Sequence, residues 1–141
     1  MSGFEESLRS VSLLSDSSIA GYTGPPGYPG STVPNWGHIF TFVKITGKNT
    51  VGLATTKASD YVIGVLQNKP QVTGQAATVA IRGISAVRSG AGTAGAITAG
   101  DPVTCDGSGR AIKATGGDLV CGHALQGSST DDELISVLIK G

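Results

Sequence analysis

With 141 residues and no net charge, the chain is sized for one domain and lacks the cationic excess that draws a protein to nucleic acid or an anionic membrane. Charged residues make up 14%, well below the ~25% of ordinary soluble domains, which suits a surface largely covered in an assembly. Its 22 glycines argue against long helices, and no apolar run approaches the ~20 residues a membrane span needs.

The chain starts Met1-Ser2-Gly3-Phe4-Glu5-Glu6, an acidic opening with no apolar core and so not the pattern of a secretory signal. Ser2 and Glu5 fit a capping box, and Phe4, Leu8 and Val11 then fall at helical spacing. A short amphipathic helix over residues 3–14 and a frayed terminus fit this stretch equally well, since so short a helix is marginal alone. Ser15-Asp16-Ser17-Ser18 is a polar joint. Beyond it runs Gly21-Tyr22-Thr23-Gly24-Pro25-Pro26-Gly27-Tyr28-Pro29-Gly30, closed by Val33-Pro34-Asn35-Trp36-Gly37. Such a Pro/Gly segment favours extended, polyproline-like backbone. Residues 1–36 therefore read as an extended N-terminal arm that lies on another surface. Phe4, Tyr22, Tyr28 and Trp36, four of the chain's seven aromatic residues, are its expected partner-binding anchors.

Residues 37–141 read as a β-rich domain able to fold without the arm. Residues 38–46 are β-branched and aromatic, and Gly47-Lys48-Asn49 is a turn. Residues 51–55 and 61–66 follow, the latter with Gly64 at its middle, the mark of a bulge or a close backbone approach. Residues 77–82 and 84–88 alternate cleanly. Residues 102–105 and 111–114 flank Asp106-Gly107-Ser108-Gly109, a hairpin signal. Residues 119–125 and 134–139 finish the chain. Eight to ten short strands and no convincing helix give an all-β class, a compact antiparallel barrel or sandwich.

No motif in this region carries chemistry well. Gly90-Ala91-Gly92-Thr93-Ala94-Gly95 has the spacing of a dinucleotide fingerprint, with Asp118 downstream. The helix that must follow it is cut short by Gly100-Asp101-Pro102, so the run reads as a loop. His38 and His123 are the only histidines; a strand histidine bonded to backbone is the commoner role for His123, and His38 reads as an edge residue or an arm contact. Asp131-Asp132-Glu133 is a solvated turn; three consecutive acids point different ways on a strand and do not make a calcium loop. Cys105 and Cys121 lack metal-ligand spacing and read as reduced, buried thiols. No catalytic, cofactor or metal site is expected, and the chain reads as a non-enzyme.

Three stretches resemble the capsid decoration, or cement, proteins of tailed bacteriophages. They are Asp60-Tyr61-Val62-Ile63-Gly64-Val65-Leu66, then Ala77-Thr78-Val79-Ala80-Ile81-Arg82-Gly83-Ile84, then Ile97-Thr98-Ala99-Gly100-Asp101-Pro102-Val103 with Asp106-Gly107-Ser108-Gly109-Arg110-Ala111. His123-Ala124-Leu125 before an acidic turn and a closing strand also fits, so the resemblance covers about residues 50–141. It implies a virion protein, made in the host cytoplasm, that binds the outer face of an icosahedral shell and braces joints between major capsid subunits, often as a trimer. It supplies no catalytic residues and does not extend to the arm. The alternative is a fibre or spike module that recognises a host receptor or glycan; it would carry its aromatics on loops of the β domain.

Overall fold

The structure, a computed structural model, describes residues 8–20 and 37–139. These residues form strands β1 (Arg9–Ser15), β2 (Phe42–Gly47), β3 (Thr50–Leu53), β4 (Val62–Leu66) and β5 (Ala76–Gly90), a single helical turn α1 (Ala91–Ala94), then β6 (Pro102–Cys105), β7 (Ala111–Lys113), β8 (Gly122–Ala124) and β9 (Asp131–Ile139). The all-β expectation holds, and the pairing closes into a barrel.

β5 organises everything else. Apart from Arg82 and Arg88, its 15 residues are small or β-branched, and it stays extended long enough to serve two sheets. Its first half pairs antiparallel with β1, from Leu14↔Ala76 to Arg9↔Arg82. Its second half pairs antiparallel with β9, from Gly83↔Ile139 to Gly90↔Asp131. The partner changes at Gly83, which has φ 104, a left-handed value that a side chain would strain. Residues 77–82 and 84–88, expected as two strands, are thus one strand with a glycine joint.

Two five-stranded circuits share this strand. β1, β3, β2, β4 and the first half of β5 close one barrel, with β1 and β3 meeting in parallel at Leu14↔Thr50 and Ser15↔Val51. The second half of β5, with β7, β6, β8 and β9, closes the other through the parallel contact Ser89↔Ala111. The period of two then sorts the core. Val43, Leu66 and Val79 face one way, in a cluster with Ile19, Val51 and Ala77. Their neighbours Phe42, Val65 and Ala80 are paired in register and face the other way, in a cluster with Val87, Val103, Val137 and Ile139. Gly64 is the close approach its position suggested: a Cβ there would lie 2.0 Å from the Ala80 carbonyl oxygen.

Two expectations are corrected. Residues 9–15 are strand, so the described part of residues 3–14 forms no helix. Ser10, Val11 and Ser12 are weak helix formers, and pairing with β5 supplies bonds that an isolated short helix lacks. The described part of the arm is therefore a barrel stave, with Leu13 packed on the core, Ser15 buried, and Ile19 beyond it fully buried. The strand expected over residues 38–46 starts only at Phe42. The chain turns through residues 37–40, with Phe40 at φ 64.

Candidate partner-binding surface

Phe4, Tyr22, Tyr28 and Trp36 lie outside the described residues. What the structure fixes is where the segment 21–36 leaves the fold and where it returns. At departure, the Asp16 carboxylate accepts hydrogen bonds from Ser18 N (2.8 Å), the Ser18 hydroxyl and Thr46 Oγ1 (2.8 Å). Ser18 Oγ in turn accepts from Leu53 N at 2.8 Å. Burial alone would raise the Asp16 pKa; the bonds from Ser18 and Thr46 outweigh it and hold the carboxyl below its ordinary range. Gly52 makes this approach feasible, since a Cβ there would sit 2.1 Å from Asp16 Oδ2. At return, Gly37 packs against the Lys69 stem, Phe40 N donates to Leu66 O (2.7 Å), and Arg88 N donates to Phe40 O (2.9 Å). The described residues on both sides of the segment are thus held in the fold.

Beside the departure point lies an open groove of about 490 Å³ lined by Lys44, Ile45, Thr46, Ser59, Asp60, Tyr61 and Ile63. Tyr61 is 79% exposed and Ile45 51%, so two large apolar side chains face solvent together. Lys44 Nζ and Asp60 Oδ2 pair at 2.9 Å, and Asp60 also accepts from the backbone N–H of Thr55 and Thr56, each at 2.9 Å. The Lys44 hydrogen bond, then that of Thr55, holds the Asp60 carboxyl below its usual range. A second exposed apolar face crosses β9: Leu134 and Leu138 point outward, with Leu138 in register with Ile84 of β5 and His123 of β8.

The other residues singled out in the sequence sit in structural roles. His38 is half-buried in the turn before β2; burial, and then the Arg88 charge, push its pKa down. His123 lies on β8, exposed, in register with Pro102 and Leu138, so the two histidines occupy different elements. The thiols of Cys105 and Cys121 are buried in the core, which pushes their pKa values up to about 12 and about 11. Gly90 to Gly95 is the single turn α1 and its flanks, and Asp131 accepts from Thr93 N and Thr93 Oγ1 there. Among the described residues, no group of three histidine, cysteine or acidic side chains is placed to hold a metal ion. No helix among them is long and apolar enough to cross a membrane.

The groove is the feature that sequence reading missed. Tyr61 precedes an alternating strand and looks like part of it. Only the turn at Asp60, clamped to Thr55 and Thr56, turns that side chain out beside Ile45 of the neighbouring strand.

Comparison with known families finds a match. The family model described as phage cement protein covers residues 37–140, from the return of the loop to the end of β9. A search of curated proteins finds no match.

Proposed function

The chain belongs to the phage cement protein family, with a structural role at the virion capsid, and from that premise we propose that it binds the outer face of the shell and ties neighbouring major capsid subunits together. The family match over residues 37–140 carries this reading. Its working parts are the two barrels as a rigid body and the aromatic-bearing segments as the attachment. Phe4 precedes β1 in the chain, and Tyr22, Tyr28 and Trp36 lie in the segment between the described residues Ala20 and Gly37. Each such ring can bury ~150–250 Å² at small rotamer cost. At ~25 cal/mol per Å² that is roughly 4–6 kcal/mol per anchor before ordering costs. A loop held at both ends has fewer conformations to lose than a tail, which lowers those costs. Many copies on one shell then act multivalently.

The same reading makes the protein a homo-oligomer, a trimer, made in the host cytoplasm and carried on the virion, and makes it non-catalytic. The decisive experiment adds the purified protein to mature shells lacking it. Co-sedimentation, with a raised temperature of shell disassembly, is the expected result. Co-sedimentation without any gain in shell stability would remove the bridging role and leave only attachment.

A further inference from the structure

The segment 21–36 contains no charged residue. Its centre, Gly24-Pro25-Pro26-Gly27-Tyr28-Pro29, has the composition of a polyproline-type ligand, the kind that docks into shallow grooves walled by exposed aromatic side chains. The groove at Tyr61 has that character. Tyr61, Ile45 and Ile63 are its apolar walls, and its charges, Lys44 and Asp60, are already paired with each other at 2.9 Å. A neutral, proline-rich segment meets no unpaired charge there.

Position points the same way. Thr46 lines the groove and is bonded to Asp16, four residues before Ala20, the last described residue ahead of the segment. From Ala20 to Pro25 is five residues, a reach of up to ~17 Å, and the whole segment of sixteen spans up to ~50 Å. The ligand is thus tethered beside its groove. A short tether sets an effective concentration of order millimolar, far above that of any second copy in dilute solution.

We propose that in the free protein the groove lined by Ile45, Tyr61 and Ile63 holds residues 24–29 of the same chain. The groove is then the stowage site of the attachment loop, and a capsid must outcompete it. The contact is intramolecular and its test contains no capsid, so its failure leaves the capsid role standing.

The test is cross-linking in the full-length chain. Gly27→Cys is combined with Ser59→Cys and treated with a short bismaleimide at ~1 μM protein. The native Cys105 and Cys121 are buried in the fold. An intrachain link, with a yield unchanged on tenfold dilution, is expected. Adding Tyr61→Ala and Ile45→Ala should cut that yield at least fivefold; both side chains are exposed, so the thermal melt should stay put. A control pairs Gly27→Cys with Gly116→Cys, a position with open space around it. An intrachain yield no higher than this control overturns the proposal. So does a link found mainly between chains when singly substituted proteins are mixed.

Discussion

Aspartate is the residue on which this fold's loops depend. Asp16, Asp60, Asp101, Asp106, Asp118 and Asp131 each accept a backbone N–H from a residue near a turn. A carboxylate has acceptor capacity for several donors at once, which a short loop without regular pairing needs. Asp106 accepts from Ser108 N (2.8 Å), Arg110 N (2.9 Å) and Arg110 Nε (2.9 Å) between β6 and β7. Asp106→Ala leaves two backbone donors and a partly buried guanidinium without that acceptor. A loss of ~1–3 kcal/mol in chemical denaturation is expected, and a loss under ~0.5 kcal/mol would show that the hairpin holds without its clamp. His38 sets a separate pH dependence. Burial and Arg88 depress its folded pKa, so above the ordinary value near ~6.5 both states are neutral and the folded state carries no penalty. As pH falls below that value the unfolded chain takes up the proton first, and stability drops until the folded pKa is passed. Asp16 and Asp60, with depressed pKa values, lose their contribution only on further acidification, as pH falls below their ordinary value of 3.8. Melts at pH 7.5, 6 and 5 should therefore decline in the native protein and decline less in His38→Gln; parallel declines would remove His38 as the cause.

At the scale of elements, β1 is the most instructive. It is the first barrel's closing stave, bonded to β5 along six residue pairs and to β3 at two. Family similarity begins only at residue 37, and sequence reading places the self-folding unit there too. From the pairing of β1 we propose the opposite outcome. A chain beginning at Gly37 exposes the edges of β3 and β5 and deletes the fully buried Ile19, itself worth ~1.5–3 kcal/mol of burial. It is expected to melt well below the full-length protein or to aggregate, whereas a chain beginning at Leu8 keeps the native melt. Equal melting of the two shortened chains would show β1 to be dispensable.

For the whole molecule, the question is what covers the exposed apolar residues. Leu134 and Leu138, outside the groove, stand on a surface with little charge to repel a neighbour. Self-association is expected, and sedimentation equilibrium at micromolar concentration should give a mass near three times 14.1 kDa. A species of 14.1 kDa alone would confine any oligomer to the capsid. Replacing Tyr22, Tyr28 and Trp36 together with Ala should move the melt by less than ~0.5 kcal/mol, as expected for sites outside the core. The same variant should lose most of its retention on sedimented shells, since aromatic anchors dominate interfaces. Full retention would move attachment to the β body alone.

The alternation of Ala77, Val79 and Ile81, the turn signals at residues 106–109, and Gly64 were enough to determine an all-β chain with its short strands nearly in place. These are local signals, set by the period of two and by residues that only turns accept. The resemblance to cement proteins rested on the same stretches. Tertiary structure alone decided the rest. Residues 9–15 became strand because β5 offered an edge, an energy that local helical spacing does not contain. The two strands at residues 77–88 became one because Gly83 changes partners without breaking the backbone. The groove at Tyr61 exists because a carboxylate five residues from Thr55 folds back on it and swings a neighbouring side chain beside Ile45. Pairing partners and side-chain neighbours distant in sequence are set by closure of the barrels, and no window of residues encodes closure by itself.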